Sequence, residues 1–310
     1  MMAPENAPAT ATNRLPPTDR ATWNPADDQH PAATNRRVRR IGPPSFSLGT
    51  IFTALRTLSQ YSDLFYTLSL FRLKVRYKQS VLGWIWAGLQ PLALMAIYTF
   101  VFSHVAKVNT NGTAYPAFVF CGLLPWIFFS GSIGNAVNGM VAYPTLLTKM
   151  YFPREIIPLS YLAAGVVDFV IASVILAGML MFYRVSLTWN VLYAIPVLIV
   201  LGIFAAAIAL FFAAVHVRFR DVGLALPFVL QVWMFATPVV YSLQAVPQRI
   251  RGLYLLDPVA GAIDMFRGAI LYGHSPDPRL LSLTAGLAIP SLLLAYAYFK
   301  ASEAAMADLV

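Results

Sequence analysis

Beyond residue 80 the chain is built of six long apolar stretches, and nearly every charge has been pushed into the gaps between them. A run of about 20 apolar residues can cross the roughly 30 Å hydrocarbon core of a bilayer only as a helix that bonds its backbone N–H groups internally. The runs lie near Val81 to Val105, Ala117 to Met140, Pro158 to Tyr183, Val191 to Val215, Leu224 to Tyr241 and Leu280 to Phe299. With 58% hydrophobic and 11% charged residues, the chain reads as an all-α integral membrane protein of six transmembrane helices.

The gaps set its orientation, because short cytoplasmic loops collect Lys and Arg. An even number of spans puts both termini on one side. That side, with the 142–157 and 216–223 loops, holds 16 of the 22 basic residues; the other holds Lys107, Arg184, Arg249, Arg251, Arg267 and Arg279. Both termini are therefore expected in the cytoplasm, and the net charge of +9 reflects topology, with no nucleic-acid partner implied.

Residues 1–45 carry eight of the 22 prolines and few large apolar side chains, the composition of a disordered cytoplasmic tail. The tail ends in Arg36, Arg37, Arg39 and Arg40, a basic cluster drawn to anionic lipid headgroups. Ile41, Gly42, Pro43 and Pro44 follow it where a cleaved signal would need an uninterrupted apolar core. In the next region, 46–80, Leu64, Leu68, Phe71 and Val75 recur at helical spacing beside Arg72, Lys74, Arg76 and Lys78. This predicts an amphipathic interface helix whose basic side chains reach the headgroups of membrane lipids. Residues 81–300 form the membrane domain and 301–310 a cytoplasmic C-terminus.

Missing chemistry narrows function further. No phosphate-binding G-x-x-x-x-G-K-[ST] loop is present, the four histidines are scattered, and the single cysteine, Cys121, falls inside a span where it reads as a small apolar filler. The chain is expected to be no enzyme and to hold no cofactor or metal of its own. Asp168 is the one acid near mid-span, about 15 Å into the third stretch. No Lys, Arg or His is expected at matching depth, and both a structural and a pathway role stay open for it.

Two loops carry helical patterns of their own. In the 142–157 loop, Pro144 and Pro153 bracket about two turns, with Leu146, Leu147, Met150 and Tyr151 on one face. That face either docks on a protein partner or lies on the membrane. In the outer loop, Asp257 caps a helix beginning at Pro258, with Val259, Ile263, Phe266 and Ile270 at helical spacing and Gly273 as its stop. At about 14 residues it is too short to span, so with the Pro247 to Leu256 stretch it is expected to form a short re-entrant pair before the last span.

The arrangement resembles the permease subunits of the ABC-2 type polysaccharide exporters, which move O-antigen, capsule or teichoic acid chains. The resemblance covers roughly residues 55 to 300. It rests on the basic helix leading into Leu82-Gly83-Trp84-Ile85-Trp86-Ala87-Gly88-Leu89-Gln90-Pro91, on Phe152-Pro153-Arg154-Glu155, on Arg218-Phe219-Arg220-Asp221, on Thr237-Pro238-Val239-Val240-Tyr241, and on Asp257-Pro258 with its helix. It implies a homodimer paired with two copies of a separate ABC ATPase subunit, which would bind the ATP and Mg, in a bacterial inner membrane. The substrate implied is a lipid-linked glycan. Thr145, Leu146, Leu147, Lys149, Met150 and Tyr151 would form the coupling helix on the ATPase, with Arg154 and Glu155 fixing its exit. Asp257, Pro258, Phe266 and Arg267 would belong to outer gate helices. Family members commonly carry Asn where this chain has Asp257, and either residue caps a helix.

A sugar channel needs aromatic faces and polar tips, and the candidates are Tyr98, Phe102, Trp126, Phe129, Trp233 and Tyr241. The same residues also suit membrane interfaces. Three other readings stay open: a related ABC permease exporting a drug or lipid, an ion-coupled carrier working through Asp168, and a non-transporting scaffold.

Overall fold

A computed structural model of the chain describes residues 59–78, 80–105, 112–142 and 152–309. The expected tail with its arginine cluster and the expected coupling helix, Thr145 to Tyr151, lie outside the described residues, as does Lys107. Regular structure among the described residues is helical throughout.

The first helix, α1, runs Ser62–Tyr77, and a tight turn at Gly83, where φ is +50°, leads into α2, Ile85–Thr99. Positive φ is costly for residues with a Cβ, which accounts for a glycine there. After α2 a π-helical turn covers Phe100–Val105. Helix α3 is Tyr115–Val141 and α4 is Ile156–Phe182. A 3-10 turn at Trp189–Tyr193 precedes α5, Ala194–Arg218, and α6 follows at Val222–Ala236. Two short helices, α7 at Gln248–Leu255 and α8 at Pro258–Leu271, come before the long α9, Pro278–Leu309.

Among the described residues five helical stretches are long and apolar enough to cross a membrane: Ile85–Ser103, Tyr115–Val141, Ile156–Phe182, Trp189–Arg218 and Pro278–Glu303. The fifth stretch expected from sequence stops early. Helix α6 has 15 residues, which rise about 22 Å against a core of roughly 30 Å. Pro238 explains this, since the residue before a proline is pushed out of the helical region, and Thr237 takes ψ 141°. The chain from Pro238 to Tyr241 then continues without helix.

Helix α3 is the centre of the bundle. Within its apolar window 78% is buried, against 11% to 17% for α2, α4 and α9. It packs on α2, α4, α5, α6 and α8. Close approach to α4 is permitted by small residues, since a Cβ at Gly165 or Gly139 would run into Ser132 or the Tyr161 ring. Large side chains such as Val174, Ile199, Leu224 and Phe228 point outward from the other helices. An apolar exterior of this kind suits lipid or a partner subunit, not water.

Helix α1 docks differently from the amphipathic reading. Its inward face is Leu68, Ser69, Arg72, Leu73 and Tyr77, whereas Phe71 and Val75 are exposed. The helix is rotated by one residue relative to the expected apolar stripe. Lys74 and Lys78 stay outward, but Arg72 and Arg76 turn toward α4. In this orientation the acid on α4 gains a base, which a carboxylate away from water requires.

Candidate functional site

Asp168 is satisfied from α1. Arg76 forms an ion pair with its Oδ2, and the Tyr77 hydroxyl donates to Oδ1 at 2.7 Å. No cation was expected at this depth from the sequence; Arg76 supplies one from the helix that precedes the spans. Tyr77 also stacks on Trp84, ring centroids 4.7 Å apart, and Arg72 lies over the Tyr161 ring at 4.5 Å. Burial, and then the bond to Asp168, push the Tyr77 phenol up to about 12, so it remains a donor at any physiological pH.

Beneath α1, between it and helices α2, α3 and α4, lies a cavity of about 500 Å³. Arg76, Tyr77 and Asp168 stand in its wall with Gln90, Ser132 and Asn135. Nothing in the sequence periodicity signalled it.

On the loop side of α4, Arg154 and Glu155 are bound to the last helix. Glu155 is 3% exposed; its Oε2 accepts from Lys300 Nζ at 2.7 Å and its Oε1 from the Tyr296 hydroxyl at 3.2 Å. Lys300 also bonds Glu303 at 3.0 Å, and Arg154 Nη1 donates to the Glu303 carbonyl at 2.6 Å. Sequence reasoning missed Tyr296, Lys300 and Glu303. Their signal was available, since Lys300 and Glu303 are opposite charges one helical turn apart where the last apolar stretch ends.

At the other end of the bundle, Asp257 joins three elements. Its Oδ1 caps α8 by accepting from Val259 N at 3.0 Å, while its Oδ2 accepts from Thr237 Oγ1 at 2.8 Å and Trp233 Nε1 at 3.1 Å. Pro258 then starts the helix, where its missing N–H costs nothing. Arg267 is 2% exposed and lies over the Phe118 ring at 3.9 Å. It donates to the carbonyls of Pro238 at 3.2 Å and Val239 at 2.6 Å. Tyr115 donates to the next carbonyl, Val240, at 2.8 Å. Backbone that is not helical must find partners inside the protein when water is excluded, and these two side chains supply them. Gly122 makes room, because a Cβ there would sit 2.6 Å from the Val239 carbonyl and collide with the Arg267 guanidinium. Phe266 is buried edge-on to Phe169 at 6.0 Å.

The six aromatic candidates do not form one surface. Trp126 and Phe129 are 4% and 0% exposed, so within the subunit they line no open path. They sit on α3, which is surrounded, and Phe129 packs flat on Phe204 at 5.8 Å and edge-on to Trp233 at 5.3 Å. Phe129 and Phe204 are the floor on which Trp233 rests, and Trp126 packs on Phe129 with ring centroids 5.8 Å apart. Trp233, Tyr241, Tyr98 and Phe102 are partly exposed. Tyr98 reaches across to Met234 Sδ at 3.7 Å and Phe102 stacks toward Tyr115 at 6.5 Å. Tyr241 donates to the Phe235 carbonyl at 2.9 Å, which closes the turn after α6.

A bundle of apolar membrane-length helices, with one ion pair near mid-span, charges otherwise gathered toward its ends and a broken segment before the last helix, defines an integral membrane protein. Residues 63–271 match the ABC-2 type transporter family, well over half of the chain, and the protein belongs to that family. It is 37% identical over 169 residues to the O-antigen export system permease protein RfbA of Myxococcus xanthus, covering 54% of this chain and 64% of that protein. It is 36% identical over 154 residues to a protein of the same name from Klebsiella pneumoniae, covering 48% of this chain and 58% of that one. The chain thus spans between 58% and 64% of the length of these relatives.

Proposed function

We propose that this chain is the membrane-spanning subunit of an ATP-driven exporter of lipid-linked polysaccharide, O-antigen or a similar surface glycan, in a bacterial inner membrane. The observation that carries the reading is the similarity to two O-antigen export permeases together with membership of the ABC-2 type family. In this reading α6, with the bonded strap after it and the α7–α8 pair, completes a sixth crossing that folds back before α9. Both termini lie in the cytoplasm, in keeping with the distribution of Lys and Arg.

The engine is a separate pair of ATPase subunits that bind ATP and Mg, and two copies of this chain enclose the path. Thr145 to Tyr151, with Lys149, would dock on the ATPase. Arg154 and Glu155 would pass the movement on, because they hold α9 through Glu303 and Lys300. The partly exposed Tyr98, Phe102, Trp233 and Tyr241 are the aromatic candidates for the sugar path, and Asp257, Pro258, Phe266 and Arg267 set the outer helices at its exit. Lys74 and Lys78 keep the expected role toward headgroups. An ion-coupled carrier working through Asp168 is disfavoured by the partners that already engage this carboxylate.

Depleting the protein in its own cell tests the proposal. Loss of surface polysaccharide with build-up of lipid-linked glycan inside is the expected result. Unchanged pools of both would move the substrate to a drug or a lipid.

A further inference from the structure

We infer that the cavity beneath α1 is a receptor pocket for an uncharged sugar unit of the exported glycan, separate from the aromatic path. The inference rests on the polysaccharide-export reading and names where the chain would hold its substrate before transport.

Size and place come first. At about 500 Å³ the cavity falls within the range of small-molecule sites and has room for a sugar ring with its substituents. Ser132 in its wall lies nine residues before the Val141 end of α3, roughly 14 Å along the helix. In the proposed topology this is the cytoplasmic half of the membrane, where a newly made glycan waits.

Charge excludes other ligands. Arg76 and Asp168 are the charged groups of the lining, and they are paired with each other. An anion would have to take Arg76 from Asp168 and then face the carboxylate; a cation would meet the reverse. A neutral ligand rich in hydroxyls can instead bond to the pair as it stands, since a carboxylate and a guanidinium keep lone pairs and N–H groups beyond those they share.

The remaining wall fits a sugar better than a lipid tail. Trp86, Phe128 and Phe169 offer aromatic surface to the C–H face of a sugar ring. Gln90 and Asn135 add carboxamides, which both donate and accept. Ser132 is 2% exposed, and its hydroxyl has no hydrogen-bond partner among the described residues. A buried hydroxyl without a partner is a cost to the fold; a small shift of the wall against Gly165 would open it to a hydroxylated ligand, whereas an acyl chain has nothing to offer it.

Gly131 provides a clean test. It lines the cavity, and a Cβ built on it meets nothing within 4 Å. A Cβ at 131 therefore costs the packing nothing, and Gly131→Leu should extend from it to fill the pocket, with leucine favouring the helix over glycine. Ser132→Ala removes the orphaned hydroxyl and should leave the fold as stable or more so.

The experiment uses the complete transporter, purified with its ATPase into phospholipid nanodiscs, and equilibrium dialysis of the oligosaccharide released from the cell's own surface polysaccharide. Saturable binding by the parent protein is expected, weakened about tenfold or more by Gly131→Leu and severalfold by Ser132→Ala, while Gly131→Ala stays near the parent. Surface polysaccharide should fall in the same order at equal protein levels. Binding that Gly131→Leu leaves unchanged, or no binding by the parent, overturns the inference. So does a tightly held phospholipid that Gly131→Leu expels while oligosaccharide binding persists, which would make this a lipid site. Failure of the export reading is seen separately, as surface polysaccharide that depletion does not change.

Discussion

Lys300 crosses 145 positions of chain to place its ammonium 2.7 Å from Glu155. The pair fastens the last helix to the residue that opens α4. Its side chains are 19% and 4% exposed, so neither charge is free to be solvated if the other is removed.

Lys300→Met should accordingly cost about 3 kcal/mol of stability, seen as a lower unfolding temperature of the solubilised protein. An apolar pair of similar volume often replaces a buried ion pair without loss, so adding Glu155→Leu should recover most of that temperature. Export should stay low in the double variant, because the loop's grip on α9 through this pair has gone. Equal instability of the single and double variants would show that the ion pair is not what holds the two helices.

Arg267 makes a second prediction, at the opposite end. Lysine keeps the charge but lacks the planar fork that serves two carbonyls at once. Arg267→Lys should lose about 2 kcal/mol, and Arg267→Met more, since the carbonyls of Pro238 and Val239 would be left without this donor. Gly122→Ala should produce the same defect by displacing the same guanidinium. Limited proteolysis of the segment from Ser242 to Leu256 in spheroplasts reads the loosening; a segment as resistant as in the parent would exclude the clamp.

The coupling loop gives a third. Leu147→Asp or Met150→Asp puts a charge on the face proposed to dock on the ATPase. Export should be abolished while protein level and unfolding temperature hold. Normal transport by either variant would remove these residues from the coupling assignment.

Helix existence was legible in the sequence because apolar length is a one-dimensional signal, and five of the six stretches coincide with helices of spanning length. The departure at α6 was also written in the chain, at Pro238, but hydropathy averages over a proline. Side-chain partners were less legible. The Arg76–Asp168, Glu155–Lys300 and Arg267–Val239 contacts join residues 92, 145 and 28 positions apart, and periodicity reports only which residues share a face. The burial of Trp126 and Phe129 was illegible for the same reason: an aromatic residue carries no mark in its sequence of whether its helix is central or peripheral. Arg72 was misplaced by a rotation of one residue, which the mixed composition of α1 could not fix.

Asp168 supplies the last prediction, and it separates two transport classes. Asparagine has nearly the shape of aspartate; its carboxamide oxygen can accept from Arg76 while its NH2 donates to the Tyr77 hydroxyl, so Asp168→Asn should keep α1 docked and retain most ATP-dependent export. Reversal is different: Asp168→Arg sets two cations together, and Arg76→Asp sets two acids together, so each should release α1. The double variant Arg76→Asp/Asp168→Arg restores opposite charges. With side chains 36% and 20% exposed, the recovered coupling should be modest, about 1 kcal/mol. A carrier that moved protons through Asp168 would behave otherwise, failing outright as Asp168→Asn and remaining inactive after the swap. Measuring export from inverted vesicles energised either by ATP or by a proton gradient decides between them. Export by Asp168→Asn with ATP alone is expected, and transport driven by the gradient alone in the parent, lost in that variant, would overturn the ATP-driven mechanism.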